Sequence, residues 1–141
     1  MGFDQSDKTV LEVIGQSMFP VLQEKDLLFV AVEKQYQPGD ILVYMYKNVL
    51  TVHRILFVKN SVFYCKGDNS FRLEDVCSEN VIGKVVYLKR NGRMIVPPKV
   101  EQSFLDDSFL ISRIFRKKGY DITETKKTIE YQNYYNNYLR T

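Results

Sequence analysis

The chain has 141 residues, 45% of them hydrophobic and 26% charged, with a formal net charge of +3. That is the size and balance of one ordinary globular domain with its own core, which excludes a disordered polyelectrolyte and a disulfide-stapled miniprotein. The charge is too mild to argue by itself for a nucleic-acid or membrane partner. The two cysteines, Cys65 and Cys77, stand in no metal-type Cys-x-x-Cys spacing, so neither a zinc site nor a disulfide framework is expected. No run approaches the roughly 20 apolar residues of a membrane span, and Met1 to Lys8 lacks the basic-then-apolar layout of a secretory signal. The expected location is cytoplasmic or peripheral to a membrane.

Thr9 to Ile14 is rich in β-branched residues and predicts a strand that runs into Gly15 and delivers Ser17 at its end. Asp26 to Val32 carries a continuous apolar run, the pattern of a strand covered on both faces. Gln37-Pro38-Gly39-Asp40 is a turn into a strand over Ile41 to Tyr46, and Lys47-Asn48 makes a hairpin tip before a strand over Val49 to Val58. Lys59-Asn60-Ser61 turns into Val62 to Cys65. Gly67 to Asn80 has the turn formers and acids of an irregular loop, after which Val81 to Leu88 restarts the strand pattern. Short strands at close spacing predict a mostly β fold, a barrel or a folded sheet.

From Pro97-Pro98 the character changes. Val100 to Lys118 reads helical, but Phe104, Leu105, Phe109, Leu110, Ile111, Ile114 and Phe115 do not make one clean stripe, so this helix wants cover on more than one side. The tail, Gly119 to Thr141, is polar and dense in tyrosine, and Thr123 to Lys127 begins another helix with Thr123 or Asp121 as its cap.

The chemistry is concentrated in three stretches. Ile14-Gly15-Gln16-Ser17-Met18-Phe19-Pro20 holds a serine between a glycine and a proline. Alone it reads as a turn, because glycine supplies unusual backbone angles and proline fixes φ. Its company changes that reading: Thr51-Val52-His53-Arg54-Ile55 contains the chain's one histidine, and Lys66-Gly67-Asp68-Asn69-Ser70 contains an aspartate. Serine, histidine and aspartate are the types needed for acyl transfer, since a serine hydroxyl is a weak nucleophile until a base takes its proton. Histidine, with an ordinary pKa near ~6.5, is largely neutral at pH 7 without tuning. Arg54, next to His53 on a strand, points to the opposite face and reads as structural.

Together these stretches resemble the type I signal peptidases, in the branch that carries histidine where most bacterial members carry lysine. Ser17-Met18-Phe19-Pro20 is similar to that family's serine box and Gly39-Asp40-Ile41-Leu42-Val43 to its Gly-Asp-Ile strand. Val52-His53-Arg54-Ile55 resembles the histidine box, and Lys66-Gly67-Asp68-Asn69 and Val81-Ile82-Gly83-Lys84-Val85 resemble the two later boxes, all in the family's order. The match runs from about Val10 to Leu88. Departures are Glu24-Lys25-Asp26 in place of a Gly-Asp turn, Gly15 where many relatives have an oxyanion-binding serine, and no membrane anchor at either end.

The resemblance implies a signal-peptidase-like β domain over residues 1–98, with a helical extension over 99–141. It implies a serine endopeptidase that removes a leader or signal peptide from a precursor, with Ser17 as nucleophile and His53 as base. Asp75 and Asp68 rank nearly level as the acid that orients His53, with Glu74 third. Met18, Phe19 and Pro20 are expected to line the substrate cleft, and substrate to add as a strand along a sheet edge. No metal, cofactor or nucleic acid is implied.

Three other readings compete. A self-cleaving repressor relative uses a similar serine box, usually with lysine, and the chain has no Ala-Gly or Cys-Gly dipeptide of the type such proteins cut. A non-catalytic module of the same fold would bind a peptide, a partner or single-stranded nucleic acid through the Tyr- and Lys-rich tail, residues 117–140. Residues 104–118, apolar with Arg113, Arg116, Lys117 and Lys118, would give a peripheral contact with an anionic membrane.

Overall fold

The structure is a computed structural model that describes residues 8–141; Met1 to Asp7, most of the stretch read for a secretory signal, lies outside them. Eight described strands form an antiparallel sheet: β1 (Lys8–Glu12), β2 (Leu27–Ala31), β3 (Ile41–Tyr46), β4 (Val49–Lys59), β5 (Val62–Lys66), β6 (Glu74–Cys77), β7 (Val81–Arg90) and β8 (Arg93–Ile95). Their order is β1-β2-β7-β3-β4-β5-β6, with β8 folded back on β7. The fold is therefore mostly β with carboxy-terminal helices, and the sheet stays open rather than closing into a barrel. Three helices follow, α1 (Gln102–Lys117), α2 (Ile122–Lys126) and α3 (Ile129–Tyr134), with a last π turn at Tyr135–Leu139.

The β3–β4 hairpin turns at Lys47 and Asn48, both with positive φ (50° and 66°), the backbone that matches the right-handed twist of the flanking strands. β3 is the strand covered on both faces: Ile41 and Val43 join a core with Leu28, Val30, Val85 and Leu88, whereas Leu42 and Tyr44 join another with Ile55, Cys65 and Val76. β2, expected to be covered on both faces, alternates instead, burying Leu28 and Val30 and leaving Leu27 exposed. Two strands emerge where none was expected. β6 lies inside the stretch read as an irregular loop, because a four-residue edge strand with one buried residue, Val76, carries almost no apolar pattern. β8 is three residues long and forms by turning at Asn91-Gly92.

The helices cover one side of the sheet. Phe104, Leu105 and Ile111 of α1 pack with Leu56 of β4 and with Tyr131, Tyr134 and Leu139 of the tail. α1 is thus covered from two directions, as its broken stripe required. Asp121 caps α2 by accepting the Glu124 N–H at 3.0 Å, and Thr128 caps α3 by accepting the Tyr131 N–H at 3.2 Å. Among the described residues, no helix is long and apolar enough to cross a membrane.

Candidate active site

Ser17 sits on the connection between β1 and β2. Two backbone hydrogen bonds between Val13 and the Lys25–Asp26 turn, 2.9 and 3.1 Å, close the base of this connection. Lys25 takes φ 74°, the backbone a glycine would take, so the turn forms without the Gly-Asp pair of the resembling family. Asp26 then accepts the Gln23 N–H at 2.8 Å and a two-pronged bond from Arg90 at 2.8 and 2.7 Å. Next to Ser17, Met18 and Leu22 are 3% and 1% exposed in the core; burying such side chains contributes on the order of 1.5–3 kcal/mol each. The loop is therefore anchored on both sides of the serine. The Phe19–Pro20 peptide is cis.

His53 reaches the serine from the middle of β4. Its Nε2 lies 3.2 Å from Ser17 Oγ, and its Nδ1 lies 2.8 Å from Glu74 Oε1. Strand register explains why Glu74 is the carboxylate that arrives. Ile55 pairs with Cys65 and Cys65 with Glu74, so these side chains share one face, and His53, two residues before Ile55, shares it too. Tyr44, on the same face of β3, donates its hydroxyl to the same Glu74 oxygen at 2.5 Å and stands 3.3 Å from His53 Nδ1.

The electrostatics fit this row. Burial pushes the Glu74 carboxyl upward, but hydrogen bonds from His53 and Tyr44 and the charges of His53 and Arg72 outweigh it and hold the group below the usual carboxylate range. Burial, then the neighbouring Cys65 and Glu74, push the Tyr44 phenol far above its ordinary value, so it acts as a fixed donor. An ionised Glu74 assigns the His53 proton to Nδ1 and leaves Nε2 free to accept from Ser17. A cleft of about 460 Å³ opens beside these residues, walled by Leu11, Val13, Leu28 and Val52. Among the described residues, the Ser17 N–H has no acceptor within the chain. No group of three or more His, Cys, Asp or Glu among them is placed to hold a metal ion.

A family model described as Peptidase S24-like matches residues 2–86, more than half of the chain. The chain belongs to this family. Membership supports a fold of the serine-peptidase, self-cleaving type, within the superfamily that also contains the signal peptidases. No curated protein matches the chain.

On this fold the residues singled out from sequence fall into two groups. Ser17 and His53 come together with Glu74, which ranked third. Asp68 instead faces Arg54, which grips it at 2.9 and 2.8 Å in the interior. Asp75 is exposed and accepts the Tyr46 hydroxyl at 3.2 Å. Neither touches His53, because Asp68 lies on the Arg54 side of β4 and Asp75 leaves β6 one residue out of step with Glu74. Of the expected cleft residues, Met18 reaches the cleft wall from the core, while Phe19 and Pro20 are not part of its lining. Gly15, in place of an oxyanion-binding serine, has φ 86° and donates its N–H to Glu24 Oε1 at 3.1 Å. In the sequence Tyr44 is one more apolar residue of the strand Ile41 to Tyr46, with nothing beside it to mark a role at the site. In the tail, Tyr131 and Tyr134 are buried in the core rather than presented for stacking, and Phe104, Leu105, Ile111, Ile114 and Phe115 face inward rather than outward.

Proposed function

We propose that this chain is a serine endopeptidase that cleaves a leader or signal peptide from a precursor, with Ser17 as nucleophile, His53 as base and Glu74 as the orienting acid. The observation that carries the reading is the continuous row from Ser17 Oγ to His53 Nε2 at 3.2 Å and from His53 Nδ1 to Glu74 at 2.8 Å. A base between nucleophile and carboxylate is the arrangement acyl transfer needs.

Neutral His53 takes the Ser17 proton as the oxygen attacks the scissile carbonyl. Glu74 stabilises the imidazolium that forms, and Tyr44 holds the carboxylate in place. The Ser17 N–H, which has no acceptor among the described residues, is the candidate donor to the tetrahedral oxyanion, an interaction of about 3–4 kcal/mol per donor removed. The imidazolium then protonates the departing amine. Water, activated by the same histidine, hydrolyses the acyl-enzyme and restores Ser17. The aliphatic walls of the cleft favour an extended peptide with apolar side chains before the cut.

The test is incubation of the purified chain with a peptide pool and with candidate precursors, alongside Ser17→Ala and His53→Ala. Each substitution is expected to lower kcat by a factor on the order of 10⁶. Cleavage that survives both substitutions would refute the assignment.

A further inference from the structure

Beneath the Ser17 loop lies a buried polar cluster that the proposed chemistry does not use. Lys66, fully buried at the end of β5, donates to the Gly67 carbonyl at 3.0 Å and to Ser108 Oγ of α1 at 2.9 Å. Its ammonium stands 5.1 Å from the centre of the Tyr134 ring of α3. The Tyr134 hydroxyl donates to the Asp68 carbonyl at 2.6 Å and lies 3.4 Å from Ser108 Oγ. Tyr134 thereby holds Asp68 of the loop after β5 directly, and Ser108 holds the preceding Gly67 through the Lys66 ammonium.

That loop in turn holds the serine. The Asn69 N–H donates to the Ser17 carbonyl at 2.8 Å, its side-chain amide to the Gln16 carbonyl at 3.0 Å, and the Asp68 N–H to Met18 Sδ at 3.3 Å. The approach is so close at Gly67 that an added Cβ would stand 2.5 Å from the Ser17 carbonyl oxygen and 3.0 Å from His53 Cδ2. A shift of this loop therefore moves Ser17 or His53.

We propose, resting on the peptidase reading, that Tyr134 and Ser108 are positioning residues, so that helices outside the family match at residues 2–86 help set the geometry of the nucleophile. A helical layer needed for apolar cover alone would be served by phenylalanine and alanine at these places. Burying a hydroxyl is unfavourable unless it is hydrogen-bonded, and here the bonds are made to Asp68 and Lys66, at the start of the loop that holds Ser17.

The experiment compares Tyr134→Phe with Tyr138→Phe in the full chain. Tyr138 donates to Asp107 at 2.8 Å within the helical layer and so removes a helical hydrogen bond without touching the loop. Tyr134→Phe is expected to lower kcat and the rate of Ser17 acylation by a penem-type probe about tenfold with KM little changed, since misplacement of about 1 Å costs up to 10²-fold. It is also expected to speed hydrogen exchange of the Asn69 amide, whereas Tyr138→Phe changes none of these. Ser108→Ala replaces Tyr134→Phe if that variant does not fold. Equal Asn69 exchange in Tyr134→Phe and wild type, or activity losses that merely track thermal stability in both variants, would overturn the inference. An inert wild type would overturn the peptidase reading instead, and Asn69 exchange would still decide whether the helices hold the loop.

Discussion

Two polar clusters stand back to back on β4, one begun by His53 and the other by Arg54. Side chains of adjacent strand residues leave on opposite faces, and the two clusters meet different surroundings. His53 and Glu74 keep 12% and 14% of their side chains exposed beside the cleft, whereas Arg54 and Asp68 keep 1% and 4%. In the first cluster, Ser17 and His53 share a bond along which a proton can move. In the second, Arg54 meets Asp68 through two parallel bonds and the Gly39 carbonyl through a third at 2.9 Å, an arrangement of fixed charges with nothing to exchange. The same residue types serve either purpose, and strand parity decides which.

The comparison breaks most sharply if the carboxylates are neutralised one at a time. Glu74→Gln is expected to lower kcat by about 10²–10⁴-fold with the fold intact, while Asp75→Asn leaves kcat near wild type; steady-state cleavage rates distinguish them. Asp68→Asn should act on the other axis. It leaves Arg54 charged and unpaired in the interior, so the unfolding free energy read by chemical denaturation should fall by about 3–5 kcal/mol.

A smaller effect separates the clusters by pH. Burial pushes the Lys66 ammonium down to about 7 in the folded chain, against the pull of Asp68, while an unfolded lysine keeps its proton to about 10.4. Between these values the unfolded chain binds more protons, so Lys66 makes stability rise with pH through that window and adds no slope below it. Denaturation at pH 7, 8 and 9 should therefore show a rise in wild type that is reduced in Lys66→Met.

How much of this was legible in the sequence follows from the same parity. Ser17 and His53, which the fold brings to 3.2 Å of each other, stand out in the sequence because a serine between glycine and proline and a single histidine have few competitors. The carboxylate that meets His53 does not stand out: Asp68, Glu74 and Asp75 lie within eight residues of one another, and choosing among them requires the register of β6, an edge strand without an apolar pattern of its own. The strands of the hairpin and the long helix were plain from β-branched runs and from the break at Pro97-Pro98. The burial of Lys66 and the reach of Tyr134 across 66 residues to Asp68 are tertiary facts that local composition does not encode. A tyrosine-rich tail reads equally as a stacking surface or as core.

The most direct test of the Ser17–His53–Glu74 row is the nitrogen-15 spectrum of the imidazole of His53, which needs no assignment because the chain has one histidine. In the neutral ring the proton should sit on Nδ1, held by Glu74, with Nε2 bare toward Ser17. A neutral ring protonated at Nε2 would leave Ser17 without a base and would contradict the account.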